Sequence, residues 1–448
     1  MVVGIKGPLE WRSELCYMAD VFSSHWGGKP FSEDVTFEDS SKVAFDCNFD
    51  GNILEIRFGA EFLFQKAMKE YSRRPVFKIA YVKINSILWP ILGGPLSGDP
   101  IRIESQVIEV NVPILSVSFS LLSRLEELWA TEFDQFGNFR PEDSLLPKDE
   151  LMTPWIDRWI FELGKLVGFK HMAKFYFLPT FDLDYIESPQ RSGILRSFKA
   201  IVGDIIRRGD IHLALRRSFS FALRRHEDDP CFKAVAYILN ELDKRELSAI
   251  FFLKIGQTNS KYDQAFSSSL GLEQKLFESL VASNHMIGLH PSFDTVDRID
   301  ILENELDLLL NRFECFGYRP QKLVARQHYL RWRHCIWSAY EKLGIVEDHS
   351  LAYSRTPGFR CGTSIPFQAF DPVLRKKLNL VVIPPSIMDS TFYSESDRTA
   401  GDLESAFGTL VNETRHSGGQ MTAIFHNSHL ISANERKLFL KLLKKVSS

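Results

Sequence analysis

No C-x-x-C pair occurs among the six cysteines, Cys16, Cys47, Cys231, Cys315, Cys335 and Cys361. Their scatter speaks against a zinc ribbon and against a disulfide framework, so a reduced, cytoplasmic chain is the expectation. The N-terminus has no long apolar stretch of the kind an export signal carries. No run approaches the roughly 18–20 apolar residues that a membrane-spanning helix needs. Nor is there an excess of positive charge: the net charge is -3, which offers no global basic field and points away from nucleic acid as a partner.

What is present is ordinary globular material, 44% hydrophobic and 25% charged over 448 residues. That is enough for two or three domains with sizeable cores. Residues 1–150 read as a smaller α+β domain. Strands are expected at 52–59 and within 101–112, and helices at 61–71, 116–130 and 155–167. In the 116–130 helix, Leu121, Leu122, Leu125 and Leu128 form the apolar stripe, and Ser123, Arg124, Glu126 and Glu127 the polar remainder. Residues 134–149, rich in Asp, Pro, Gly and Asn, read as a linker. No chemistry is legible in this region. Residues 187–229 are basic, with Arg191, Arg196, Lys199, Arg207, Arg208, Arg216, Arg217, Arg224 and Arg225, a charge that Asp204, Asp210, Glu227, Asp228 and Asp229 dilute. Apolar residues recur at helical spacing through 194–206, so part of the segment is expected to be an amphipathic helix. Such a helix is either a solvated face or a peripheral contact with a membrane or a lipid-linked sugar.

From about residue 172 the pattern alternates. Strands are expected at 175–178, 249–254, 285–290, 322–326, 344–348, 380–383 and 421–425. Between them the spacing predicts helices at 231–245, 271–283, 298–313, 333–343 and 402–414. Alternation of this kind implies a parallel sheet with helices packed against it. Seven units without a Gly-rich phosphate loop favour a barrel over a dinucleotide-binding sheet.

In a parallel barrel, reactive residues collect at the C-terminal ends of the strands. Here those ends are polar. The first closes on Asp182 and Asp184, which share a face because they are two residues apart on an extended chain. Two carboxylates that close are costly unless a positive group sits beside them. The strand at 285 ends in His290, with Asp294 four residues on. The strand at 322 ends in Arg326, followed by His328 and Tyr329. The last strand ends in His426. Together these supply Asp and His ligands for a borderline divalent ion, plus a spare carboxylate and a spare imidazole.

At residues 180–184, T-F-D-L-D resembles the T-F-D-x-D signature of the polysaccharide deacetylases, the NodB-homology group of carbohydrate esterases. H-M-I-G-L-H (285–290) resembles the segment leading into that family's second signature. Arg326 matches the arginine of the third, and I-F-H (424–426) the L-x-H signature near the C-terminus. The order and spacing agree over about residues 172–445. The resemblance implies an irregular seven-stranded β/α barrel at 172–448, preceded by the α+β domain at 1–150. It implies metal-assisted removal of an N-acetyl group from a sugar, with a divalent ion, zinc first, as cofactor. Asp182 would be the general base, Asp184 and His290 metal ligands, Arg326 the residue holding the base ionised, and His426 the general acid.

The chain departs from that family at the second signature, where H-x-x-x-H would place a histidine and Asp294 stands instead. Asp294 and His328 are the two candidates for the third ligand, with His328 preferred. Residues 120–127, 287–292, 326–330, 358–367 and 388–389 resemble a bacterial branch of deacetylase-like proteins that carries an extra N-terminal domain. Chains of that branch tend to be encoded among surface-polysaccharide biosynthesis functions. The implied substrate is therefore an N-acetylated sugar of a surface polysaccharide or its precursor. Arg360, Asp389 and Tyr329 are expected to contact that sugar, although Arg360 and Asp389 could instead anchor a loop as an ion pair. His349 and His429 read as surface or supporting residues. Two other readings stay open: a sugar-binding barrel without turnover, and a metal-dependent hydrolase of another carbon–nitrogen or ester bond.

Overall fold

The computed structural model describes residues 2–26, 36–40, 42–49, 52–58, 79–84, 86–92, 99–104, 106–166, 174–188, 201–203, 205–206, 210–222, 226–267, 269–283, 285–393 and 399–447. The helix expected at 61–71 and residues 189–200, 204, 207–209 and 223–225 of the basic segment lie outside these residues. The chain divides into two compact units. The first comprises residues 1–176, 359–384 and 413–420, and the second 177–358, 385–412 and 421–448.

In the first unit, a six-stranded sheet runs in the order Thr36–Asp39, Val2–Gly7, Val43–Phe49, Asn52–Phe58, Val107–Val110, Ile101–Glu104. The helix Arg12–His25 buries Leu15, Met18 and Phe22. The ring of Phe22 meets Phe45 and Phe58 edge-on at 5.7 and 5.9 Å, a favoured aromatic geometry. The strands expected within 101–112 form an antiparallel pair.

The helix expected at 116–130 is broken. It runs from Ile114 to Leu122 and resumes over Leu125–Leu128, because Arg124 takes a left-handed conformation with φ 55°. That conformation costs energy for a residue with a side chain, and a buried network offsets it. Arg124 donates to the carbonyls of Leu121 and Arg360 and to Glu127, and lies 2.6 Å from Glu126. Arg360 also binds Glu127, through Nε at 3.0 Å and Nη2 at 2.9 Å. Of the residues read as the polar face of a helix, Arg124, Glu126 and Glu127 thus form a largely buried ion cluster.

The same network explains why 359–384 belongs with the N-terminal residues although it lies far along the chain. Asp157 accepts from Ser364 N and Oγ at 2.8 and 2.7 Å and also from Thr363. Arg375 reaches Glu14 at 2.6 Å and Lys377 reaches Asp20 at 2.5 Å. The strand expected at 380–383 is part of Lys376–Val382, which forms an antiparallel hairpin with Phe367–Asp371 in this unit.

The second unit is mixed α/β. Its strands are β1 Tyr176–Leu183, β2 Ile250–Leu253, β3 Met286–Leu289, β4 Leu323–Ala325, β5 Ile345–Asp348, β6 Pro385–Met388 and β7 Gln420–His426. Their order is β5-β4-β3-β2-β1-β7-β6. The pairings from β1 through β5 are parallel, as is that of β6 with β7. Strand number and order within the unit thus match the expectation, with Pro385–Met388 in place of 380–383. Pro385 is tolerated because it opens its strand, where a missing N–H does least harm. β5 and β6 stand at the two ends of this order, and these pairings do not by themselves show the closed seven-stranded barrel expected from the sequence.

Register sets the site. Asp182 lies opposite Phe252, Leu253 opposite Leu289, and Leu289 opposite Ala325, which in turn lies opposite Asp348. Neighbouring strands therefore end level with one another. On the other face of β1, Phe181 stacks on Phe251 at 5.0 Å and Phe425 at 5.7 Å, and Phe425 meets Phe439 of the helix Ala433–Ser447 at 5.1 Å. Two helices start as their sequences suggest. Asp229 caps the helix Pro230–Asp243, which has proline at its first position, and Ser269 caps Leu270–Ala282.

Replacing one partner of the first unit's ion cluster strands a buried charge. Arg360→Ala is expected to lower that unit's unfolding free energy by roughly 3–5 kcal/mol, measured by urea denaturation. A loss below about 1 kcal/mol, the range of an exposed pair, would contradict the buried-cluster account.

Candidate metal and acid–base centre

Asp182 and Asp184 leave the end of β1 on one face, as their spacing requires. His290 follows β3, Arg326 follows β4, Asp389 follows β6, and His426 is the last residue of β7. His328 begins a short 3-10 turn in which Tyr329 and Leu330 have φ of 58° and 56°. Left-handed backbone at two successive non-glycine residues is strained, and strain of this kind gathers at functional sites.

Three ligand atoms converge. His290 Nε2 lies 3.2 Å and His328 Nε2 3.6 Å from Asp184 Oδ1. These are ion-pair distances, yet Asp184 Oδ1 is buried and makes no hydrogen bond of acceptable geometry. The ligand atoms of all three residues lie within 4.8 Å of one another, close enough to share a cation. The donor set, two imidazoles and one carboxylate with room for water, suits zinc or a similar borderline ion.

Both histidines are oriented from behind. His290 Nδ1 contacts the carbonyl of Arg326. His328 Nδ1 lies 2.8 Å from Asp263 Oδ1. A carbonyl and a carboxylate both require a donor, so each Nδ1 carries the proton and each Nε2 presents a lone pair. Asp263 is itself held by the N–H groups of Thr258 and Asn259, each at 3.0 Å. Those contacts and His328 keep its carboxyl well below the usual range although burial opposes this. Burial likewise works against ionisation of Asp184, but the surrounding His328, His290 and His426 hold its carboxyl well below the ordinary value. His328 is pushed down by burial and up by Asp184 and Asp263, with a net rise. A cation binding at Nε2 competes with the second proton that this rise favours on the ring.

Asp182 sits beside this set. Its Oδ1 accepts from Arg326 Nη1 at 2.6 Å, and its Oδ2 lies 3.8 Å from His290 Nε2. Arg326 is fully buried, donates through Nε to the carbonyl of His349 at 3.0 Å, and lies over the ring of Phe252 at 4.3 Å. The glycine of the 285–290 motif serves this stack. A Cβ at Gly288 would come within 2.8 Å of the Phe252 ring and 2.7 Å of Val324 Cγ2.

A second carboxylate–histidine group forms at β6 and β7. Asp389 accepts from His426 N at 2.8 Å and pairs with His426 Nδ1 at 2.6 Å. His429 Nδ1 lies 3.3 Å from the same oxygen, without hydrogen-bond geometry. Burial alone would lower the pKa of His426, but Asp389, then Asp184 and Asp182, raise it to about 10. These three side chains also have ligand atoms close enough to hold an ion. Their geometry already has a simpler account in the short His426–Asp389 hydrogen bond.

The positions of the other expected residues follow. Asp294 is not part of either converging group; its carboxylate faces Asn259 Nδ2 at 3.5 Å and its N–H donates to Thr258 Oγ1. Its side chain is drawn to the 258–263 loop, apart from the Asp184–His290–His328 group. Asp389, expected against substrate, is engaged by His426. Arg360, expected there as well, is buried in the first unit against Glu127. The anticipated Arg360–Asp389 pair is thus replaced by two separate partnerships. Tyr329 is half-buried beside His328, with ring centroids 4.5 Å apart, and burial pushes its hydroxyl up to about 12. His349 is wholly buried, and burial lowers its pKa to about 4 despite Glu347. Asp263 was not expected: it lies in a loop with no motif spacing, and its Lys261-Tyr262-Asp263-Gln264 context gives no local signal of a partner 65 residues away.

With this geometry in place, comparisons with known proteins add the following. A family described as of unknown function (DUF7033) matches residues 10–171. No curated protein matches the chain. Among solved structures, a Mycobacterium smegmatis protein provisionally classed as a polysaccharide deacetylase is similar, at 14% identity and TM-score 0.41, over 62% of this chain and 85% of that one. A Bordetella bronchiseptica protein, also provisionally classed as a polysaccharide deacetylase and involved in O-antigen biosynthesis, is similar at 13% identity and TM-score 0.28, over 60% and 82%. Likeness at this level leaves the function to be argued from the site.

The ligand assignment predicts a clear division among variants. Asp184→Ala and His328→Ala are expected to lose stoichiometric zinc by ICP-MS, while Asp294→Ala retains it. Asp263→Asn should weaken zinc by about 10–100-fold, the usual cost of losing a carboxylate behind a ligating histidine. Zinc affinity should also fall as pH is lowered, because protons compete for His328. Retention of zinc by His328→Ala with loss in Asp294→Ala would reverse the assignment.

Proposed function

We propose that the second unit is a metal-dependent hydrolase that removes an N-acetyl group from a sugar of a bacterial surface polysaccharide or its precursor. The observation that carries this reading is the side-by-side arrangement of Asp182, held by buried Arg326, and the Asp184–His290–His328 ligand set. Amide hydrolysis needs an electrophile, a base for water and an acid for the leaving amine. Each has a separate side chain here.

A divalent cation held by Asp184, His290 and His328 would supply Lewis acidity for polarising the acetyl carbonyl and activating water. The remaining steps belong to the protein. Asp182, held by Arg326, accepts a proton from water as that water's oxygen bonds to the carbonyl carbon. His426 has Nδ1 committed to Asp389, leaving Nε2–H to protonate the sugar nitrogen as the C–N bond breaks. The products are acetate and a free amine. An amine leaving group requires that proton, and the charged form of His426 is what the surrounding carboxylates favour. This supports an amide over an ester as the bond attacked. The family's absent second histidine, which would favour a sugar-binding barrel without turnover, is compensated by His328.

Acetate release from N-acetylated oligosaccharides tests the reading. Asp182→Asn is expected to lower kcat by about 10²–10⁴-fold, the usual contribution of a positioned base; equal rates would remove Asp182 from that role. His426 has its pKa raised above the ordinary value, so its acid form is present at neutral pH and is lost as pH rises through the raised pKa. Asp389→Asn deletes the main raising charge and leaves burial to dominate. The basic limb of kcat/KM should therefore move down by more than about one pH unit. An unmoved limb would show that His426 is not the acid.

A further inference from the structure

Lys254 directly follows β2 and is fully buried. Register places it beside the ligand set. Leu253 pairs with Leu183 on one side and Leu289 on the other. The ladder continues with Lys254 N donating to the carbonyl of Leu183 and His290 N to that of Leu253. Lys254 therefore stands level with Asp184 and His290, on the strand between theirs, and the alternation of a strand puts all three on one face. Lysine is almost never fully buried unless it is paired. Burial pushes the pKa of Lys254 down, against the nearby charges of Asp184, Asp263 and Glu305. Yet the acceptors of its ammonium are two main-chain carbonyls, Gln264 O at 2.6 Å and Gly256 O at 3.4 Å.

Those carbonyls stand at the two ends of one loop. Between them lies Asp263, the carboxylate that orients His328. The first half of the loop is fixed by packing and by neutral hydrogen bonds. A Cβ at Gly256 would come within 1.9 Å of Glu305 Oε1, and Glu305 is itself held by Ser292 N at 2.9 Å. Ser292 Oγ donates to Thr258 Oγ1 at 3.0 Å. The second half ends at Gln264, an exposed residue whose carbonyl is met by the ammonium. A charged donor makes a hydrogen bond roughly twice as strong as a neutral one, so this contact closes the loop where packing does not.

We propose that Lys254 is a positioning residue of the metal centre: its buried ammonium closes the 256–264 loop and so keeps Asp263 on His328 Nδ1. This role rests on the metal reading of Asp184, His290 and His328 given above, and adds to it a group that touches neither ion nor substrate. Charge alone would give Lys254 the opposite effect, because a fixed cation near the site repels a metal ion. Removing the ammonium therefore weakens metal binding if it positions the loop and strengthens it if it only repels.

Zinc affinity of the full chain, measured by competition with a chelating dye across a double-mutant cycle, separates the two. K254M keeps the reach of the side chain and removes the donor. It should weaken zinc about tenfold in the otherwise native chain, within the loss expected for D263N, and by less than about twofold when D263N is already present. K254R, which keeps a cationic donor, should recover most of that loss. K254Q gives the same comparison should K254M not fold. NMR of the imidazole nitrogens in the metal-free chain adds a readout that a general loosening would not give. Where the ring carries one proton, His328 should be the Nδ1–H tautomer in the wild type and a mixture with Nε2–H in K254M. That measurement needs no zinc. A wild-type chain that binds no zinc would therefore count against the ligand set, and an unchanged tautomer against Lys254. Equal effects of K254M in both backgrounds, tighter zinc in K254M, or an unchanged His328 tautomer would overturn the proposal.

Discussion

The second unit depends on keeping two carboxylates, Asp182 and Asp184, at the end of one buried strand. At an effective dielectric of about 20, two unit charges 4 Å apart repel by about 4 kcal/mol. The fold compensates each one differently. Asp182 receives the guanidinium of Arg326, and Asp184 receives the two imidazole nitrogens that complete a ligand set. Burying Arg326 creates its own requirement, met by the Phe252 ring and the His349 carbonyl. Room for the Phe252 ring in turn requires glycine at 288. A chain of constraints thus runs across four neighbouring strands, and level strand ends are what allow it to close.

The same logic divides labour between residues of one chemical type. Asp182, Asp184, Asp263 and Asp389 are all carboxylates, and environment gives each a different task. Asp263 is fixed by backbone N–H groups and orients a ligand. Asp389 is fixed by His426 and charges it. Asp184 has a buried oxygen without a hydrogen bond, and Asp182 is tied to a cation that cannot leave. Assigning acid and base by the surroundings that push their affinities for protons apart follows a general pattern of enzyme sites.

Much of this centre is legible in the sequence because period and position suffice. A two-residue spacing on a strand predicts a shared face, and strand ends in a parallel sheet predict convergence. His290, Arg326, His328 and His426 lie where that reasoning puts them. What escapes it depends on loops and on distant pairs. Asp263 sits in a loop whose conformation is set by its own hydrogen bonds, so no periodicity marks it. Asp294 sits at motif spacing, but the 258–263 loop draws its side chain away. Arg360 lies in a stretch near the site in sequence, but Glu127, far upstream, captures it. At 376–388 a single apolar run covers two strands, a hairpin strand and β6, and hydrophobicity alone does not mark the break between them. Arg124 defeats a helical reading because burial of its guanidinium outweighs local helix propensity.

The most direct test is an anomalous-difference crystal structure of the full chain with one equivalent of zinc. The account predicts one peak, within about 2.0–2.2 Å of Asp184 Oδ1, His290 Nε2 and His328 Nε2, with Asp182 still on Arg326. A peak that instead takes Asp294 as ligand, or that sits on Asp389, His426 and His429, would contradict it.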